Sequence, residues 1–364
     1  MTTYDYSKVT DYTERQMFLD PAGGVTVQRF EEVAYPRIQK FEKLARGFFW
    51  VPEEITLTKD KADFKNASET IKFIFTQTIL RQTALDSLQG RAPGQVFAPV
   101  CSVPELEALV TNWSFFETNI HSNSYSHIIR NVYNVPKEQF DSMHDIKPII
   151  AMAAGVGRYY EKLYHLNCRK ELGLKVDEQD HIDAIWLALN ASLALECIRF
   201  LASFAVSLAW VEQGIFMGNG NIIGLILQDE LLHTDWTTYL IKQVVKDDPR
   251  FVSAKERLVD EVYAMYLEVI QEEKDWAKHL FQHGPVVGLN TEILNNFIDY
   301  QATIRLGNIG VKYLENPIKN TPLPWFEKHV NVSKKQVALQ EQESTAYVIG
   351  VMSGDINYDE LPEL

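Results

Sequence analysis

Cysteine is scarce in this 364-residue chain, with only Cys101, Cys168 and Cys197. Three widely spaced thiols suggest neither a disulfide framework nor a zinc ribbon, and a reducing compartment, the cytoplasm, fits best. Basic charge is also short. Lys and Arg number 35 against 49 Asp and Glu, a net charge of −14. Nucleic acid and anionic membranes attract basic faces, so neither is expected as the main partner. The opening residues, MTTYDYSKVTDYTERQMFLD, hold no apolar run of the kind a secretory signal needs. Alternating β-branched runs are few, and residues 26–30 make too short a stretch to argue for a sheet. One long apolar run does exist, at residues 185–210, but Glu196 and Arg199 interrupt it. A buried core helix is expected there rather than a membrane span. Neither a P-loop nor a dinucleotide-binding glycine pattern is present.

What remains is helix. Apolar residues make up 46% of the chain, and helical periodicity runs from about residue 66 to about residue 313. An all-α fold follows. Arg91-Ala-Pro-Gly-Gln is expected to break the chain after a helix carrying Asp86. Ser102 is expected to cap the next helix, with Pro104 in its first turn and Glu105 three residues after the cap. Met217-Gly-Asn-Gly-Asn reads as the connection between two long helices, and His283-Gly-Pro ends another. The closing GDINYDELPEL is acidic and poor in large aliphatics, so residues 1–335 are read as a helical domain and 336–364 as a flexible tail.

Within the helices, carboxylates and histidines recur in two similar halves. The first has Asp86, then Glu117 and His121; the second has Glu196, then Glu230 and His233. The second carboxylate follows the first by 31 residues in one half and 34 in the other. Glu196 lies deep in the most apolar helix, where an ionised carboxylate needs a partner or a proton; Arg199 is a candidate partner. Glu230 and His233, three apart, share one helix face. Four helices that turn such residues toward one axis make a dinuclear carboxylate site in a ferritin-like bundle. Oxygen-rich donors with two imidazoles suit iron or manganese, and the spacing does not separate them.

Five stretches resemble the small (beta, R2, radical-generating) subunit of class I ribonucleotide reductases. They are FFWVPEE at 48–54, LDSLQGR at 85–91, IHSNSYSHIIRN at 120–131, LECIRF at 195–200 and QDELLH at 228–233. The resemblance implies that Asp86, Glu117, His121, Glu196, Glu230 and His233 are metal ligands. It implies a tyrosyl radical on Tyr125, shielded by Phe200, Phe204 and Ile226. It makes Trp50 and Asp229 an electron path to His121, and Tyr347, with Glu341, a relay in the tail. The cofactor it implies is a dinuclear iron centre, with di-manganese or mixed Mn/Fe as alternatives. The implied partners are a second copy of the chain, a large catalytic subunit docked through the tail, and, for manganese, a flavodoxin-like activase. A stand-alone di-metal oxidase on the same fold is the alternative reading. It would need neither Trp50, nor the Tyr125 pocket, nor the Tyr347 tail.

One departure stands out. The family pattern in the first half is Glu-x-x-His, whereas this chain reads Glu117-Thr-Asn-Ile-His121, one residue longer. On a regular helix the extra residue would rotate everything downstream by about 100°. Two outcomes keep the site: Glu at i and His at i+4 still share a face, or a single π turn absorbs the extra residue, the favoured outcome because it preserves the helix face on both sides.

Overall fold

The computed structural model describes residue 7 and residues 11–334. Among them are fourteen α-helices and no strand, only two isolated bridges. In chain order the helices are α1 (Pro36–Gly47), α2 (Thr58–Asn66), α3 (Glu69–Gln89), α4 (Pro104–Phe115), α5 (Ser122–Val132), α6 (Pro136–Ser142) and α7 (Lys147–Glu171). There follow α8 (Glu178–Ala194), α9 (Leu201–Ala209), α10 (Met217–Asp247), α11 (Pro249–Arg257), α12 (Val259–Leu280), α13 (Thr291–Asn308) and α14 (Pro324–Lys334). Three π-helical segments interrupt the regular pattern, at Pro93–Phe97, Phe116–His121 and Leu195–Phe200. The second joins α4 to α5 as one rod, and the third joins α8 to α9.

The α8–α9 rod is apolar on every side, and its residues 181–210 are buried without exception. A helix that is apolar all round must be surrounded. It is covered by α7, α10, α12 and α13, so the run at 185–210 is a core helix. Local signals start several elements. Ser68 caps α3 by accepting from Ile71 N, Asp177 caps α8 by accepting from Gln179 and Asp180 N, and Asn290 caps α13.

The break at Arg91-Ala-Pro-Gly-Gln falls where expected: α3, which carries Asp86, ends at Gln89, and the π turn Pro93–Phe97 follows. Two boundaries differ from the sequence reading. Ser102 does not cap α4: its hydroxyl accepts from Asp20 N at 2.8 Å, while the Glu105 carboxylate accepts from Tyr35 N at 2.8 Å. Both are spent on the N-terminal segment that folds over this corner. Met217-Gly-Asn-Gly-Asn is the first turn of α10, not a connection. The connection is Val211–Phe216, ending on Phe216 in the left-handed region at φ 52°. Asp60 of α2 caps α10 from outside, accepting from Gly218 N at 3.0 Å and Asn219 N at 2.7 Å. Gly218 permits that approach, since a Cβ there would lie 2.5 Å from the Thr56 carbonyl oxygen.

Candidate metal centre

Four rods bring the six expected donors together. Asp86 comes from α3, Glu117 and His121 from the π turn after α4, Glu196 from the π turn after α8, and Glu230 and His233 from α10. All six are buried, with exposures of 0–1%. They form two groups whose ligand atoms lie within 4.8 Å of one another: Asp86, Glu117, His121 and Glu230, and then Glu117, Glu196, Glu230 and His233. Glu117 and Glu230 belong to both, so they stand between two positions. His121 Nδ1 is 3.1 Å from Glu230 Oε1, 3.3 Å from Glu117 Oε2 and 3.5 Å from Asp86 Oδ1. His233 Nδ1 is 2.9 Å from Glu117 Oε1, 3.4 Å from Glu230 Oε2 and 3.8 Å from Glu196 Oε1.

The electrostatics of this cluster call for cations. Both oxygens of Asp86 and of Glu230, and Nδ1 of His233, lack a hydrogen bond of proper geometry. Burial pushes the Asp86 and Glu196 carboxyls well above the usual carboxylate range. Glu117 goes the other way: burial would raise it, but contacts from His121 and His233 outweigh that and lower it. Against the pull of burial, Asp229 and the neighbouring carboxylates raise His121, and the Glu230 charge helps raise His233 to about 10. The carboxylates and imidazoles of the cluster thus compete for the same few protons. Four carboxylates match the charge of two divalent cations, and carboxylate oxygens with two imidazoles suit iron or manganese.

Glu117 and His121, four apart, share one face, and the π turn that carries them absorbs the extra residue so that the helix resumes in register on both sides. Thr118, pushed aside, donates to the Gly90 carbonyl at 3.0 Å. Downstream, Tyr125 on α5 is fully buried and its hydroxyl makes no hydrogen bond of proper geometry. Burial, then the Asp86 charge, pushes its pKa well above that of an ordinary tyrosine. Phe200, Phe204 and Ile226 are fully buried in the same core, the two phenylalanine rings stacked at 5.4 Å. Asp229 Oδ2 lies 3.1 Å from His121 Nε2 and accepts from the Trp50 indole N–H at 2.9 Å. A hydrogen-bonded line therefore runs from Trp50 to His121, and the carboxylate sets the tautomer and tilt of that imidazole. Glu341 and Tyr347 lie outside the described residues.

Arg199 does not pair with Glu196. It donates to Glu272 and Glu273 of α12, and Glu196 is met instead by Gln89 Nε2 at 2.9 Å and Thr237 Oγ1 at 3.4 Å. Gln89 in turn accepts from the Tyr160 hydroxyl at 2.7 Å. The Trp113 indole N–H donates to Glu117 Oε1 at 3.2 Å, and the Trp236 ring stacks on His233 at 4.5 Å. Sequence reasoning missed these orienting groups, though helical spacing held a signal. Gln89 follows Asp86 by three residues, Trp113 precedes Glu117 by four, and Trp236 and Thr237 follow His233 by three and four.

The family model "Ribonucleotide reductase, small chain" matches residues 28–318. The chain belongs to the ribonucleotide reductase small chain family. Among curated relatives, it is 34% identical over 373 residues to ribonucleoside-diphosphate reductase 1 subunit beta of Escherichia coli O157:H7, covering 99% of this chain and 98% of that one. Two solved structures support the fold. One is the ribonucleotide reductase R2 subunit from Clostridium botulinum, with a TM-score of 0.76 and 23% identity over 88% of this chain and 98% of that one. The other is the dimanganese(II)-NrdF of Streptococcus sanguinis, with a TM-score of 0.70 and 20% identity over 84% and 99%. Small-chain family membership and the ferritin-like bundle thus agree with the buried donor set.

Proposed function

We propose that this chain is the radical-generating subunit of a ribonucleoside-diphosphate reductase. The observation that carries the reading is the pair of donor groups sharing Glu117 and Glu230, with Tyr125 fully buried one helical turn beyond His121. Asp86, Glu117, His121, Glu196, Glu230 and His233 would hold the dinuclear iron, or manganese, centre. When bound, that centre supplies the oxidising equivalents that dioxygen delivers.

The chain's own residues do the rest. Tyr125 gives up one electron and its phenolic proton, and the nearby Asp86 carboxylate is the charged group that bears on that proton. Apolar walls, Phe200, Phe204 and Ile226 among them, keep water and reductants away from the resulting radical. His121, Asp229 and Trp50 form the hydrogen-bonded path along which the electron hole travels. Tyr347, with Glu341, continues that path in the tail to the large subunit, where ribonucleotide reduction begins. The division into a body over 1–335 and a docking tail over 336–364, the homodimer, the cytoplasmic location and a flavodoxin-like activase for a manganese form belong to the same reading.

The test is low-temperature EPR after Fe(II) and dioxygen are added to metal-free protein. A tyrosyl doublet that relaxes fast beside a dinuclear centre is expected. Failure to bind two metal ions per chain would bring the reading down.

A further inference from the structure

Outside the site, Arg81, Arg199 and Glu273 form a group of buried charges, each 1% exposed. Glu273 on α12 accepts from both terminal nitrogens of Arg81 on α3 and, at 3.0 Å, from Arg199 Nη1. The other terminal nitrogen of Arg199 donates to Glu272, the preceding residue of α12, at 2.5 Å. The Arg81 guanidinium lies over the Trp276 ring, 4.6 Å from its centroid. Two arginines and two glutamates balance in charge, but desolvation offsets most of what such a buried group contributes to stability. Geometry is the better account. A planar guanidinium forked across two carboxylates holds its helix at one height and one rotation.

The place of Arg199 shows what is held. It shares the π turn Leu195–Phe200 with Glu196, and the turn presents Glu196 to His233 and Arg199 to α12. A π turn carries a residue more than the α-helix around it and relaxes by shifting register, which would swing Glu196 off the site. Gln89 and Thr237 orient the Glu196 carboxylate but do not touch the backbone turn through these bonds. We propose that Arg199, clamped on Glu272 and Glu273, is a positioning residue that keeps the π turn in register and Glu196 on the second metal position. The inference rests on the two-metal reading above.

The test is titration of metal-free protein with Mn(II), counted by EPR, for the wild type, Arg199→Gln and Arg199→Lys. The wild type is expected to take two ions per chain. Arg199→Gln should keep the ion at Asp86, Glu117, His121 and Glu230 and weaken the other by about 10–100-fold, as loss of an orienting group does. Adding Asp86→Ala to that variant should then remove the remaining ion. Lysine restores the charge without the fork and should recover part of the loss. A residue that only stabilises the fold would weaken both positions alike or neither, and either result overturns the proposal. Should Arg199→Gln fail to fold, Glu272→Gln repeats the test from the half-buried side of the clamp, where the side chain is 30% exposed. Unchanged affinity at the second position in that variant would equally overturn it. A wild type that binds fewer than two Mn(II) ions removes the two-metal reading, and this inference with it.

Discussion

Glu230 and His233 stand three residues apart on an unbroken stretch of α10, whereas Glu117 and His121 stand four apart on a π turn. Both pairs direct a carboxylate and an imidazole to the same centre. On α10 the ordinary helical repeat does this unaided. In the first half the extra residue is taken up inside one wide turn, so α5 resumes with Tyr125 on its expected face. The difference teaches that what the chemistry constrains is the helix face, not the residue count. A count can change wherever the backbone has a local way to absorb it. The third rod adds a warning: the π turn at Leu195–Phe200 holds Glu196 with no irregularity visible in the sequence.

The comparison breaks most sharply if α10 is made to mimic the first half. Inserting one alanine between Leu231 and Leu232 should rotate His233 away by about 100° and abolish binding of both metal ions. Retention of two ions in a metal titration would show that α10 absorbs an insertion as readily. One turn past the π turn, Tyr125→Phe should abolish the tyrosyl signal. Because its hydroxyl makes no hydrogen bond of proper geometry, stability should change by less than about 1 kcal/mol in chemical denaturation. A persisting doublet would reassign the radical.

The two tryptophans sharpen the contrast further. Trp113 donates to Glu117, while the Trp236 indole N–H, stacked on His233, has no hydrogen-bond partner. Replacement of each by Phe should cost about 1.5–3 kcal/mol more at Trp113, the value of a hydrogen bond to a charged group. Equal melting curves for the two variants would contradict that assignment. Deleting Asn119, which is exposed and bonds only to Phe115 O through its side chain, should convert the π turn to α-helix and leave two metal ions bound. Loss of either ion would mean that the wide turn itself shapes the site.

The smallest effect contrasts the histidines. His121 and His233 face carboxylates and are raised, whereas His181, at the far end of α8 from Glu196, faces the Asn167 side chain and is lowered by burial to about 4. Between about 4 and the unfolded value near 6.5, the unfolded chain binds a proton that folded His181 does not. Stability is therefore lost as pH falls through that window. His181→Gln should flatten that part of the curve of melting temperature against pH, and an unchanged slope would count against a neutral His181.

Much of the site was legible because it lives on helices. Three- and four-residue spacings report a shared face directly, so Glu230 with His233 could be read from the chain alone, whereas Tyr125, four beyond His121, stood out only through the family resemblance. The π turn at 116–121 was legible only as a one-residue departure from a pattern. Ser102 misled because its hydroxyl had a choice of donors and took Asp20 N, 82 residues away in sequence. Met217-Gly-Asn-Gly-Asn misled because glycines usually punctuate, and the carboxylate that caps this helix start belongs to α2.

The sequence by itself determined the donor types, their order and the helical character of the rods that carry them, because composition and periodicity are local properties. Only the tertiary structure decided that Glu117 and Glu230 belong to both buried donor groups. It alone sent Arg199 to α12 instead of Glu196, and gave Glu196 its partners Gln89 and Thr237. Those choices are competitions between groups distant in the chain, settled by which charges and donors the packed helices bring within about 3 Å of one another in a medium too dry to leave them apart.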